Sequence, residues 1–250
     1  MNIYVLNSGS RGNATLFEDD GHLYLIDMGV PLFVLKEGLE KLNHKMIDIE
    51  AMFLTHEHYD HTKGIQYLDP LPIYTTKGTW DAPNVIEITP YKSFKINNLT
   101  VTPVSISHDV IDPVGFIFES KEEKFVYITD TGYIPSKTLD YLSNATYYVM
   151  ESNYDYKMLL NCGRPMSLVR RISSETGHLS NKDSARYMVN LIGEKTKQII
   201  LAHISLESNS HEVALATYEK IFKKAHISLD KIQIICADQF EMTLGGKANQ

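Results

Sequence analysis

Thr55-His56-Glu57-His58-Tyr59-Asp60-His61 follows directly on an apolar run, Ile49-Glu50-Ala51-Met52-Phe53-Leu54. Three histidines and two carboxylates fall within residues 56–61. Neutral imidazole and carboxylate together make a ligand set that suits zinc and also serves manganese or iron. A strand running into a loop that opens a helix lets close neighbours point in different directions. His56 and His58 can then face one metal ion while Asp60 and His61 face a second. The alternative is a polar loop that happens to be rich in histidine; four candidate ligands at this spacing behind a hydrophobic strand argue against it.

The rest of the 250-residue chain is ordinary in composition, 43% hydrophobic and 22% charged, enough for a sizeable core. The formal net charge is -7, so no global basic field draws in nucleic acid. That counts against a passive nucleic-acid-binding module. It counts less against an enzyme, because two divalent cations in a cleft would add positive charge where a phosphate must sit. Cys162 and Cys236 form no CxxC pattern, so neither a thiolate zinc site nor a disulfide framework is indicated. Met1-Asn2-Ile3-Tyr4-Val5-Leu6 reads as a strand rather than a signal peptide, and no apolar run approaches membrane-spanning length. The expectation is a cytoplasmic protein with no membrane partner.

Along the chain, strand after strand ends in a candidate ligand or acid/base. The run before Asp27-Met28-Gly29, the run before His56, the strand ending at Ser107-His108, Lys124-Phe125-Val126-Tyr127-Ile128-Thr129 before Asp130, Thr146-Tyr147-Tyr148-Val149-Met150 before Glu151, and Gln198-Ile199-Ile200-Leu201-Ala202 before His203 share this form. Ligands gathered at strand ends on one edge of a layered α/β domain make a natural site. Asp27 is read either as a carboxylate orienting a metal-bound histidine or as a simple cap. The small-residue turn Asn7-Ser8-Gly9-Ser10-Arg11-Gly12-Asn13-Ala14-Thr15 is either an anion cradle or a plain hairpin turn. Apolar spacing predicts helices over residues 31–42, near 136–143, over 180–191 and over 211–224. Residues 84–106 read as a three-strand meander, and the chain past a short strand at 233–235 as a polar tail. With no repeat or linker, one domain spanning 1–250 is the simplest organisation. His22, His44, His211 and His226 lie among polar residues and need no role beyond the surface.

Thr55 to His61 matches the HxHxDH signature of metallo-β-lactamase-fold hydrolases, which this chain resembles over roughly residues 1 to 240. His108 before Gly115-Phe116, the Thr129-Asp130-Thr131-Gly132 turn and Leu201-Ala202-His203-Ile204-Ser205 match as well. The likeness is greatest to the bacterial WalJ/YycJ-type proteins, through residues 8–15, Glu151-Ser152-Asn153 and Gly177-His178-Leu179-Ser180-Asn181. It implies an α/β fold of four layers, an αββα sandwich with two divalent metal ions, zinc or manganese, at one edge. Carried over residue by residue, His56, His58 and His108 would hold one metal, and Asp60, His61 and His203 the other, with Asp130 bridging. Two cations so placed share a hydroxide, lower its pKa and stabilise the transition state of a displacement at phosphorus.

Glu151 and His178 lie outside that set. They look like the glutamate and histidine that tRNA 3′-end-processing endonucleases of this superfamily place beside the leaving oxygen, with His178 as general acid held protonated by Glu151. The alternative is His178 as a helix-start residue bonded to nearby backbone. Asp60, Glu151 and His178 are thus the candidate catalytic residues. Arg164, Arg170 and Arg171 either grip phosphates or form a solvated helix face. The resemblance implies a DNA-directed, exonuclease-like phosphodiesterase, DNA ahead of RNA. Tyr154 is a departure, standing where these relatives often carry histidine. Two other readings are a phosphodiesterase for small or cyclic nucleotides and a metal-stabilised regulatory protein.

Overall fold

The computed structural model describes residues 1–249 and divides the strands between two mixed sheets. The first sheet is built by β1 (Asn2–Asn7), β2 (Ala14–Asp19), β3 (His22–Ile26), β4 (Ile49–Phe53), β5 (Ile73–Thr76) and β6 (Val85–Ile88). Helix α1 (Leu32–Lys41) joins β3 to β4, and a single turn, α2 (Tyr59–Thr62), follows β4. The second sheet takes β7 (Phe94–Ile96), β8 (Leu99–Ser105), β9 (Val114–Glu119), β10 (Lys124–Ile128), β11 (Tyr147–Glu151), β12 (Gln198–Ala202) and β13 (Gln233–Cys236). Its crossovers carry α3 (Ser136–Leu142), α4 (Tyr156–Asn161), α5 (Met166–Ile172), α6 (Asn181–Leu191) and α7 (His211–Lys224). A last strand, β14 (Thr243–Gly246), returns to pair antiparallel with β1. Spatial order is β14-β1-β2-β3-β4-β5-β6 in one sheet and β13-β12-β11-β10-β9-β8-β7 in the other.

The alternation along β4 shows why the chain layers this way. Ala51 and Phe53 join the cluster between the sheets, while Met52 and Leu54 join a cluster on the outer face under α1; Ile49, before a shift in register against β3, also faces outward. A strand buried on both faces must be apolar at nearly every position, which is why the run before His56 lacks a polar alternate face. Aromatic rings fill the seam: Phe17 of the first sheet meets Phe118 of the second at 4.4 Å between centroids. On the far side, Ala185, Met188 and Leu191 of α6 and Ala214, Tyr218 and Phe222 of α7 cover Val126, Tyr148, Met150 and Ile199. Helix, sheet, sheet, helix is the expected four-layer αββα sandwich.

The predicted helices stand within a residue or two of their observed ends. Two readings change. Residues 84–106 are no meander: β6 runs parallel to β5 in the first sheet, and only β7 and β8 pair as a hairpin in the second. The residues between β6 and β7 cross from sheet to sheet, a step that local alternation does not encode. The polar tail contains β14, whose Thr243 and Leu244 pair with Val5 and Tyr4 and cover the edge that β1 would otherwise expose.

Candidate metal centre and catalytic site

Both sheets deliver their strand ends to one edge. β3 ends before Asp27, β4 before Thr55 and His56, β10 before Asp130, β11 at Glu151 and β12 before His203. Three of these residues leave the strand in the left-handed region: Asp27 at φ 57°, Asp130 at 56° and His203 at 55°. Side chains other than glycine rarely adopt it, and such backbone strain concentrates at functional sites. The reversal turns each side chain back across the strand end, toward the seam.

There, four of the histidines are each held on Nδ1 by the protein, which leaves Nε2 to face the cluster. Asp27 Oδ2 lies 2.8 Å from His61 Nδ1, and Thr55 Oγ1 lies 2.9 Å from His56 Nδ1. The Gly177 carbonyl lies 3.2 Å from His108 Nδ1, and Glu151 Oε1 2.9 Å from His203 Nδ1. The remaining nitrogens converge. His108 Nε2 is 3.2 Å from His58 Nδ1, and His61 Nε2 is 3.3 Å from Asp130 Oδ2 and 3.7 Å from Asp60 Oδ2. Asp130 Oδ1 is 3.2 Å from His203 Nδ1, so one carboxylate spans both halves of the cluster. His56 Nε2, His203 Nε2 and Asp130 Oδ2 are buried with no hydrogen-bond partner. Buried polar atoms are nearly always paired, and a set of nitrogen and oxygen donors left open together fits a divalent cation. Three overlapping groups of donors lie within 4.8 Å: His56, His58 and His108; His56, His61 and Asp130; and Asp130, Glu151, His178 and His203.

The protein's own charges pull these groups apart in proton affinity. Burial, then the charge on His61, holds His56 well below the ordinary imidazole value. Burial also opposes charge on His61 and His203. For His61, Asp27 and Asp130 overcome it and raise the group well above that value. For His203, Asp130 and Glu151 lift it to about 9. Glu151 is fully buried, which disfavours its anion, yet His178 and then His203 bring its carboxyl down to about 2. Its second oxygen takes the amides of Thr131 at 2.9 Å and Leu179 at 3.1 Å.

His178 Nδ1 sits 2.8 Å from Glu151 Oε1, the oxygen that also faces His203. Glu151, the last residue of β11, is thus common to the candidate acid and a candidate ligand. A cavity of about 170 Å³ opens over the cluster, lined by His58, Asp60, His108, Asp130, His178 and His203. Arg164 and Arg171 also line it; Arg170 does not. Arg164 Nε is 2.6 Å from Glu207, and Arg171 Nε 2.7 Å from Asp109. The three arginines thus do not act as one group: α5 turns Arg170 away from its neighbour.

All seven candidate ligands meet at this edge. Glu57, the other carboxylate of the opening stretch, instead accepts the Ile111 amide at 2.9 Å and anchors the loop after His108. Four contributors went unrecognised in the sequence. Asn13 Nδ2 lies 2.9 Å from His61 Nε2, Ser8 Oγ accepts the His203 amide, and Thr55 joins His56 to Asp27. Asp109 lies 3.7 Å from His58 and 3.6 Å from His108. The turn at residues 8–15 is therefore a brace for the cluster, and its run of small polar residues was the available signal. His22, His44, His211 and His226 stay outside the cluster, as expected. Cys162 and Cys236 are free thiols.

Comparison with known proteins identifies the family and the fold. The model of the beta-lactamase superfamily domain matches residues 23–204. The chain is 31% identical over 239 residues to the exodeoxyribonuclease YycJ of Bacillus anthracis, covering 90% of each protein. It is 32% identical over 230 residues to the exodeoxyribonuclease WalJ of Streptococcus pneumoniae, covering 85% of each. Among solved structures, the metallo-beta-lactamase fold protein YhfI from Bacillus subtilis superposes with a TM-score of 0.74 at 17% identity, over 98% of both chains. A chain matched over most of its length in sequence and in shape, with its donor residues gathered at the shared edge of two sheets, belongs to the beta-lactamase superfamily and has the metallo-β-lactamase fold.

Proposed function

We propose that this chain is a single-domain, dinuclear metal-dependent phosphodiesterase that cleaves nucleic acid, DNA ahead of RNA, in the cytoplasm. The observation that carries the reading is the Glu151–His178 pair adjoining the donors of His56, His58, His61, His108, Asp130 and His203, with Asp60 3.7 Å from His61. Relatives over 30% identical named as exodeoxyribonucleases support the substrate class. Among the described residues no helix is long and apolar enough to cross a membrane.

In this reading His56, His58 and His108 would hold one cation, Asp60, His61 and His203 would hold the second, and Asp130 would serve both. Nitrogen and oxygen donors without thiolate favour zinc or manganese. When bound, such a pair supplies an activated water and positive charge opposite the developing negative charge of the transition state. The protein does the rest. Asp27, Thr55 and Glu151 fix the ring orientation of His61, His56 and His203. Glu151 holds the proton of His178 Nδ1, so that Nε2 faces the substrate as the acid that protonates the leaving oxygen. Arg164 and Arg171 at the cavity mouth keep donors beyond Nε for the phosphates on either side of the cut.

His178→Ala should keep its full metal content by elemental analysis while phosphodiester turnover falls by about 10²-fold or more. Loss of metal instead would make His178 a ligand, the role its place beside Asp130 and His203 also allows. A cleavage panel on labelled single- and double-stranded DNA and RNA, run with zinc and with manganese, tests the substrate. Turnover confined to small or cyclic phosphodiesters would replace the nuclease reading.

A further inference from the structure

A second and larger hollow, about 1310 Å³, lies on the other side of one wall of the site. The wall is shared residue by residue. Asn153, Ile172 and His178 line the catalytic cavity, while Tyr154, Ser173 and Ser180 line the groove. Tyr154 and Ser180 are joined by a backbone bridge, so the ridge is fixed rather than a mobile flap. On a chain with net charge -7, the groove concentrates the opposite sign: Lys157, Lys182, Arg186, Lys220 and Lys224 line it against Asp155 and Asp183. Both acids are already engaged. Asp155 caps α4 through the amides of Lys157 and Met158, and Asp183 bonds Ser180 and pairs with Arg186. The four lysines are exposed and make no ion pair among the described residues. Tyr156, 57% exposed, stands among them.

We infer that this groove holds the single-stranded stretch of a nucleic acid whose end lies in the catalytic cavity. A row of unpaired cations beside an exposed aromatic ring is what a single strand requires: positive charge along the phosphates and a face on which a base stacks. An acidic protein segment would use the cations but leave Tyr156 without a purpose. This rests on the nuclease reading and extends it: the ridge from Tyr154 to Ser180 separates the nucleotide being cut from the strand that holds the enzyme in place.

The test compares wild type with a Lys182→Glu, Lys220→Glu, Lys224→Glu variant on single strands from two to about 16 nucleotides. The substrates are joined by bis(p-nitrophenyl) phosphate and by a labelled polyglutamate probe. The substituted side chains are exposed, and the variant's circular dichroism spectrum should match that of wild type. Wild type should show a KM that falls as the strand lengthens. The variant should lose that gain, about tenfold or more on the longest strand, with bis(p-nitrophenyl) phosphate turnover unchanged. The log–log salt dependence of strand binding should flatten by about 2, since each phosphate neutralised on a single strand contributes about 0.7. A variant that keeps the length gain and the salt slope overturns the groove and leaves the nuclease reading standing. A wild type that cuts the small diester but no strand of any length overturns both. Polyglutamate binding that matches or exceeds that of the strand assigns the groove to an acidic protein instead.

Discussion

Asp27 touches no candidate substrate position, yet it controls how His61 can act. It is fully buried, accepts both the amide and hydroxyl of Thr55, and holds His61 Nδ1 at 2.8 Å. From sequence it was equally a strand-end cap. The left-handed φ that turns it under the histidine favours the orienting role. Asp27→Asn keeps the shape but removes the charge that fixes the ring. Metal affinity should fall about 10- to 100-fold by competition with a chromophoric chelator. Unchanged affinity would leave Asp27 as a cap. Residues such as Asp130 and His203 were legible because ligand chemistry restricts them to a few residue types, and each directly follows an apolar strand. Asn13 and Asp109 were not, because an amide in a small-residue turn and a carboxylate beside a histidine have many ordinary uses.

Among elements, what matters is how three loops are laced together. The Asn13 amide donates to the Asp60 carbonyl, the Gly29 amide to the Asn13 carbonyl, and the Met28 amide to the His61 carbonyl. The exits of β1 and β3 thus grip α2, the turn that presents Asp60 and His61. They can approach because residue 29 has no side chain: a Cβ there would fall 1.5 Å from the Asp60 carbonyl oxygen. Gly29→Ala must push α2 away, so the urea unfolding midpoint should drop by the equivalent of at least about 3 kcal/mol, and the purified protein should bind less metal. An unchanged midpoint and metal content would mean that α2 is not held by this packing. The helices were legible from their apolar period, as α6 and α7 show, since each needs only a stripe facing the sheet. β6 and β14 were misread because sheet membership depends on partners far away in sequence.

For the molecule as a whole, the cluster makes stability depend on pH in a way that bound cations should change. Glu151, brought down to about 2, contributes stability that is present above the ordinary carboxylate value and lost as pH falls toward 2. His203, lifted to about 9, contributes stability that is full below the ordinary imidazole value and lost as pH rises through 9. His61, also raised, acts in the same direction. His56, held well below the ordinary imidazole value, acts oppositely, its contribution being lost as pH falls below that value. Chelated protein should therefore show its highest Tm at about pH 6 to 7 and lose on the order of 3 kcal/mol by pH 9. Metal-loaded protein should not show the alkaline loss, because ligation requires the same imidazoles without their protons. Differential scanning calorimetry on both forms decides it; parallel curves would mean that the histidines do not exchange protons for metal.

The sequence alone determined the chemistry of the edge. A period of strand, loop and charged residue repeats from Asp27 to His203, and few residue types can ligate a cation, so the donors were visible before their positions were. The four layers followed from the family resemblance carried by Thr55 to His61, and nearly all-apolar strands such as β4, covered on both faces, agree with them. Only the tertiary structure decided that one Glu151 oxygen serves both His178 and His203, that Arg171 reaches the cavity while Arg170 does not, and that a basic groove adjoins the site. Those are distances between residues far apart in the chain, set by how two sheets pack and how helices cross them, and no local pattern encodes them.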